Sequence, residues 1–329
     1  MRRALGLAAV LTLLAPAAAA AQDPAVPVPS PAATPAPPAP PVPQITLAAE
    51  KVHPAGDRAL VLRGRAYRVR GTMTPVAAVP QQVELRILRG GELARTLRVA
   101  VAPDGSFVRR IPTWRKGSFG VRAVHVATPE LGAARGPKVK VLVVEPRVAE
   151  GSRSPLVPLL QRSLAKLRYA VSRSGSFDAA TGRAVMAFRK VNGMARRYDA
   201  DRRVIEKLMA GKGAFEPRYP GAGRHVEADI SRQVLALIDG GRVVATYHTS
   251  TGAPATPTII GSFRVYLKTP GVNSLGMVHS SYFIRGYAIH GYVDVPAFNA
   301  SHGCLRIPIP DSVRVFNWLR HGDRVITYP

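Results

Sequence analysis

Cys304 is the only cysteine of this 329-residue chain, and it sits in the run Ser301-His302-Gly303-Cys304-Leu305-Arg306. A second His-Gly pair, His290-Gly291, lies fourteen residues before it. A single thiol cannot close an internal disulfide. A thiol with two histidines nearby is instead placed for nucleophilic chemistry, because an imidazole can take its proton and leave a thiolate that attacks carbonyl carbon. His290 and His302 both carry the right group. The motif is expected to turn His302 away from Cys304, whereas His290 can arrive on a neighbouring strand, so His290 is the expected general base. Gly303 lets the backbone bend tightly enough for N–H groups of His302, Gly303 and Cys304 to face a developing oxyanion. Arg306 offers a planar fork suited to a substrate carboxylate.

Two rival readings use the same residues. His279, His290, His302 and Cys304 could ligate zinc, but His-Gly-Cys matches no common zinc spacing and no second cysteine supports it. No metal and no cofactor is therefore expected. In the other reading Cys304 is an inert buried thiol between two surface histidines.

The elements that must position this motif fall in residues 224–329. Short apolar runs predict strands over 226–229, 234–239, 243–249, 263–268, 288–289 and 323–328. Asp239-Gly240-Gly241 predicts a hairpin turn between two of them. One helix is expected over 311–319, capped by Asp311, with Val313, Phe316 and Leu319 on its buried face.

The rest of the chain divides by pattern. Residues 1–21 show the charge, short apolar run and small-residue end of a secretory leader, with an apolar stretch too short for a transmembrane helix. Residues 22–44 are nearly all Pro, Ala and Val, a semi-rigid spacer. Residues 45–146 alternate with period two, as in Val83-Glu84-Leu85-Arg86-Ile87-Leu88, and predict a β-sandwich of immunoglobulin-like type. Within it, Asp104-Gly105 predicts a hairpin between 97–101 and 107–111. In 147–213, Leu156, Leu159, Leu160, Leu164 and Leu167 recur at helical spacing, as do Ala184, Val185 and Phe188, with Asp178 or Ala179 at the start of the second helix. The net charge of +26 favours polyanions; with an export leader and no nucleic-acid motif, anionic wall polymers fit better than nucleic acid, which is not expected as a partner.

Two segments resemble known families. Leu160-Gln161, Leu164, Leu167 and Tyr169, followed by Gly175, Phe177-Asp178, Thr181, Ala184-Val185, Phe188 and Asn192-Gly193, are similar to the small three-helix peptidoglycan-binding domain, with Arg189 where that family usually carries Gln. His290-Gly291, Val295-Pro296 and Ala300 to Arg306, supported by Asp229 to Gln233, Ser250-Thr251-Gly252, Thr256-Pro257, Gly261, Phe263 and Tyr282-Phe283, resemble the L,D-transpeptidase catalytic domain (YkuD family) over about 224–329. Ile259 and Ile260 make the turn before Gly261 longer than is usual there.

The resemblance implies a multidomain chain: a β-sandwich-like domain, a small three-helix bundle and a C-terminal mostly-β YkuD-like domain. It also implies a peptidoglycan L,D-transpeptidase, exported to the periplasm or cell wall. Cys304 would attack the third residue of a stem tetrapeptide and expel D-alanine. His290 would act as base and acid, oriented by the Gly291 carbonyl, and Arg306, Ser301 and Tyr282 would bind substrate. A neighbouring stem amine would resolve the thioester into a 3→3 cross-link. Water or a D-amino acid as acceptor, giving an L,D-carboxypeptidase or an exchange enzyme, and a non-catalytic wall-binding protein are the alternatives.

Overall fold

The computed structural model describes residues 38–329. The leader expected at 1–21, and the linker as far as residue 37, lie outside the described residues. Alternating apolar and charged residues build ten strands: β1 (Gln44–Ile45), β2 (Ala48–Glu50), β3 (His53–Ala55), β4 (Arg58–Leu62), β5 (Ala66–Thr74), β6 (Gln82–Arg89), β7 (Glu92–Ala100), β8 (Ser106–Pro112), β9 (Gly117–His125) and β10 (Ala134–Val144). In β6, Val83, Leu85 and Ile87 are buried while Glu84 and Arg86 face outward. One sheet has β5 paired with β1, β2 and β8; the other runs β3-β4-β10-β9-β6-β7. Val61, Tyr67, Val69, Ile87, Ile111, Val121 and Val141 meet between them, which makes the unit a sandwich.

The predicted Asp104-Gly105 hairpin is not one. Beyond the turn, β8 pairs with β5, whereas β7 pairs with β6. The turn therefore carries the chain from one sheet to the other, a distinction that a local turn signal does not contain. On the outer face of the larger sheet Lys138 lies opposite Arg122, and Arg122 opposite Arg86. Glu84 relieves Arg86 at 2.9 Å. Directly opposed like charges repel, so part of the net positive charge is concentrated as a cross-strand cationic row.

Three helices follow: α1 (Leu156–Lys166), α2 (Ala179–Val191) and α3 (Arg202–Met209). Asp178 caps α2 by accepting the Thr181 N–H at 2.8 Å, and Asp201 caps α3 through the Val204 N–H. Such caps typically contribute about 1 kcal/mol each. Leu156, Leu160, Leu164, Val185, Phe188, Val204 and Leu208 share one core with Leu60 and Leu62 of β4, so the sandwich and the helices are packed together. Arg189 is buried. It donates to the Asp199 carbonyl and the Asp201 carboxylate, tying α2 to the loop that leads into α3, and is not part of an exposed surface.

The C-terminal unit comprises β11 (His225–Asp229), β12 (Val234–Asp239), β13 (Arg242–His248), β14 (Gly261–Arg264), β15 (Leu267–Val272), β16 (Val278–Ile284), β17 (Tyr287–Tyr292), β18 (Leu305–Pro308), α4 (Ile309–Trp318) and β19 (Arg324–Tyr328). They form a five-stranded sheet, β13-β12-β11-β19-β14, and a four-stranded one, β15-β16-β17-β18. Val226, Leu235, Tyr247, Phe283, Ile289, Leu305, Ile307, Val315 and Val325 form the core between them. Gly240 and Gly241 turn the β12–β13 hairpin with positive φ, +53° and +74°, as a tight two-residue turn requires.

Two sequence expectations change here. The single strand predicted over 263–268 is two strands in different sheets, because the chain crosses between them at Val265, which is buried. The helix starts earlier than predicted, so Asp311 sits in its first turn and does not cap it. Its buried residues are Ser312 and Val315, with Leu319 just beyond, while Val313 is exposed. Asp311 instead pairs with Arg183 of α2 at 3.0 Å. Among the described residues no helix is long and apolar enough to cross a membrane.

Candidate active site

The parallel pairing of β17 with β18 brings the two halves of the motif together. Ile289 lies opposite Leu305 and His290 opposite Arg306. Ile289, Leu305 and Ile307 point into the core. Side chains alternate across a strand, so Ala288, His290 and Arg306 share the other face, with Cys304 just before the first residue of β18. The Cys304 sulfur accepts the Ala288 N–H at 3.4 Å, which holds the thiol against β17 two residue pairs from His290.

The imidazole of His290 is buried, and its Nδ1–H donates to the Gly291 carbonyl at 2.9 Å. A carbonyl can only accept, so the proton is on Nδ1 and Nε2 is left with a free lone pair. Tyr292 packs edge-on against the ring with centroids 5.6 Å apart. A Cβ on Gly291 would lie 2.8 Å from the Ser312 side chain; glycine lets α4 approach β17 at the residue whose carbonyl accepts the His290 Nδ1–H.

Burial is the main influence on the Cys304 thiol and the His290 imidazole alike. It pushes the Cys304 thiol above its ordinary pKa, against the smaller opposing effects of the Ala288 N–H and of Arg306. It pushes His290 below the ordinary histidine value, with the Gly291 hydrogen bond opposing and Arg306 assisting. The resting pair is therefore a neutral thiol beside a neutral imidazole, not a preformed ion pair.

The Ser301–Cys304 turn is shaped from within. Gly303 has φ of +108°, which breaks the side-chain alternation of an extended strand at that residue. A Cβ there would lie 1.8 Å from the Tyr287 ring. His302 is exposed, away from the buried imidazole of His290. Ser301, expected to bind substrate, is buried; its hydroxyl donates to the Cys304 carbonyl at 2.6 Å and accepts the Gly303 N–H at 3.1 Å. It acts on the turn, not on a ligand. The same bond occupies the Gly303 amide, which was expected to face an oxyanion. Among the described residues no hydrogen bond occupies the His302 or Cys304 N–H, so those groups are the candidate donors.

Arg306 lies with its guanidinium 4.1 Å from the centre of the Tyr292 ring and donates to the Ala300 carbonyl. Among the described residues no carboxylate pairs with it, so its remaining donors are open to an anion. Tyr282 on β16 lies opposite Ala288 and so stands in the same cross-strand row as the thiol. His279 lies elsewhere: its ring packs on Phe316, and Nδ1 accepts the Gly271 N–H. Among the described residues no three His, Cys, Asp or Glu side chains are grouped as a metal ion would need.

Sequence reasoning missed Tyr292, His248 and Thr249, and took Ser250-Thr251-Gly252 only as support for the resemblance. Tyr292 had a signal, since it stands two residues after His290 on the same face. His248 and Thr249 had none of their own: their neighbour Ser250 pairs with Arg306 through both backbone bonds, and the Thr249 hydroxyl donates to the Arg306 carbonyl at 2.6 Å.

The L,D-transpeptidase catalytic domain family (YkuD) matches residues 223–327. The crystal structure of an L,D-transpeptidase from Xylanimonas cellulosilytica is 31% identical, covers 56% of this chain and 98% of its own, and superposes with a TM-score of 0.52. An L,D-transpeptidase from Mycobacterium smegmatis matches more loosely, at 14% identity over 86% of this chain and 99% of that one, with a TM-score of 0.30. The catalytic domain of the E. faecium L,D-transpeptidase is 22% identical over 32% of this chain and 98% of that one, with a TM-score of 0.29. No curated protein matches the chain. With a relative above 30% identity matched over nearly its whole length, the chain belongs to the L,D-transpeptidase family.

Proposed function

We propose that this protein is a cysteine-dependent peptidoglycan L,D-transpeptidase that works outside the cytoplasmic membrane and forms 3→3 cross-links. The family acts on peptidoglycan. The observation that supports the finer reading is that β17 carries His290 and pairs with β18, which Cys304 immediately precedes, with Nδ1–H committed to the Gly291 carbonyl and Nε2 free.

The stem tetrapeptide binds with a carboxylate at Arg306. The Cys304 S–H proton passes to His290 Nε2 as the sulfur bonds to the carbonyl carbon of the third residue. The carbonyl oxygen becomes an oxyanion facing the Cys304 N–H, where a fixed donor stabilises charge that appears only in the transition state. Collapse breaks the bond to D-alanine, whose amine takes the proton back from Nε2. The side-chain amine of a second stem then attacks the thioester, gives its proton to Nε2, and the thiolate leaves and is reprotonated. The three-helix unit, by its resemblance to peptidoglycan-binding domains, holds the enzyme on the wall.

The intermediate is the test. Acid-quenched protein incubated with disaccharide-tetrapeptide is expected to carry the substrate less D-alanine on the peptide containing Cys304, and Cys304→Ala to carry nothing. Consumption of substrate without that adduct, or an adduct on another residue, would assign the chemistry elsewhere.

A further inference from the structure

Lys190, near the end of α2, is buried. It leaves the helical unit and enters the C-terminal one. Its Nζ donates to the Gln233 carbonyl at 3.1 Å, the Thr249 carbonyl at 2.8 Å and Nδ1 of His248 at 2.7 Å. Three acceptors therefore surround one amine, which offers them three hydrogens when charged and two when neutral. His248 Nε2–H in turn donates to the Val295 carbonyl at 2.9 Å, which sets the tautomer and leaves Nδ1 as the acceptor that Lys190 needs.

These contacts reach the site along two short paths. Thr249, whose carbonyl Lys190 holds, donates its hydroxyl to the Arg306 carbonyl, and the next residue, Ser250, pairs with Arg306 through both backbone bonds. Arg306 is two residues from Cys304. Val295, held through His248, belongs to the loop 293–300 that joins His290's strand to the cysteine motif. Arg196, just after α2, grips the same loop at the Ala297 carbonyl, 2.8 Å away. Tyr198 packs edge-on against His248. Lys190, Arg196 and Tyr198 come from the helical unit, and the groups they meet come from the C-terminal one.

We propose that Lys190 is a positioning residue for the Cys304 site: through Thr249 and His248 it sets Arg306 and the loop 293–300, so that α2 is a working part of the active site and not only a wall anchor. Burial, with Arg196 nearby, lowers the Lys190 pKa to about 6, and burial above all takes His248 to about 3. The imidazole is thus neutral at physiological pH, as its two hydrogen bonds require. With its pKa at about 6, Lys190 is mostly the neutral amine at physiological pH; a buried polar group is costly unless its hydrogen bonds are made, so its contacts hold Gln233, His248 and Thr249 to α2.

The inference rests on the reaction proposed above, and the test separates the two. The full chain is assayed on disaccharide-tetrapeptide beside Lys190→Met, His248→Leu and His248→Gln, with thermal melting and with the rate of Cys304 alkylation by iodoacetamide. Gln presents one acceptor and one donor on a single planar head, as neutral His does. Lys190→Met and His248→Leu are expected to lose about 10²-fold in kcat/KM, the scale of a misplaced substrate contact, while alkylation, which reads the thiol alone, changes less than about twofold on the same reasoning. His248→Gln is expected to recover most of what His248→Leu loses. Wild-type kcat/KM in both disrupting variants would overturn the inference. So would turnover, alkylation and melting temperature falling together without rescue by Gln, since that is the signature of plain unfolding. If Lys190→Met does not fold, the His248 pair decides. A wild-type protein that alkylates at Cys304 but does not turn over the tetrapeptide would refute the proposed reaction, and the inference with it.

Discussion

Replacing His290 with alanine is expected to lower turnover at neutral pH by about 10²–10⁴-fold, the usual contribution of a general base, and to change the shape of the pH profile. The sign follows from the two shifts. In the wild type the reactive form needs a neutral imidazole beside a neutral thiol. Burial holds His290 below the ordinary histidine range, so kcat/KM rises with pH only on the acid side and is flat through neutrality. Burial also holds the thiol above its ordinary value, so free thiolate is scarce there. Without His290 that scarce thiolate is the only nucleophile, and its fraction grows about tenfold per pH unit below the thiol pKa. The variant's rate should therefore climb steadily where the wild type is level. A flat profile in His290→Ala, or a loss below about tenfold at pH 7, would show that another group takes the proton.

Gly303→Ala is expected to have an effect of similar size for a different reason. The residue has a positive φ, and its missing Cβ is the space that the Tyr287 ring occupies, 1.8 Å away. Alanine must either push the ring aside or unwind the turn, at a cost of about 1–3 kcal/mol for the backbone alone. The turn carries the Ser301 hydroxyl bond to the Cys304 carbonyl, so unwinding it moves the nucleophile. Turnover is expected to fall by more than about 10²-fold, as a displacement near 1 Å can cause, with a lower melting temperature. Wild-type turnover in Gly303→Ala would mean that the turn does not place Cys304.

How legible the site was depended on the range of the interaction. Cys304, His290 and Gly303 could be singled out in the sequence because they lie within one short motif, although the Gly303 amide expected to face an oxyanion is held by Ser301 instead. The strands over 234–239 and 323–328, and the Gly240-Gly241 turn, were visible because alternation and turn residues are local too. Ser301 was misassigned because a serine beside a nucleophile looks like a ligand group until its hydroxyl is seen to close the turn. His302 was expected to turn away through strand geometry, yet residues two apart on a regular strand share a face; it is the positive φ at Gly303 that ends the alternation. The Asp104-Gly105 crossover and the split at Val265 were missed because a turn signal does not say which sheet the next strand joins. Lys190 gave no signal at all. In sequence it is one more cation on a helix, and its three acceptors come from residues 43, 58 and 59 positions further along the chain.

The most direct measurement is product analysis by mass spectrometry, with the protein and its Cys304→Ala variant each incubated with disaccharide-tetrapeptide. The account predicts a cross-linked dimer lighter by one D-alanine than two substrates, formed by the wild type and absent from the variant. Tripeptide monomer alone would contradict cross-linking and make water the acceptor. A dimer formed equally by Cys304→Ala would contradict the thiol mechanism itself.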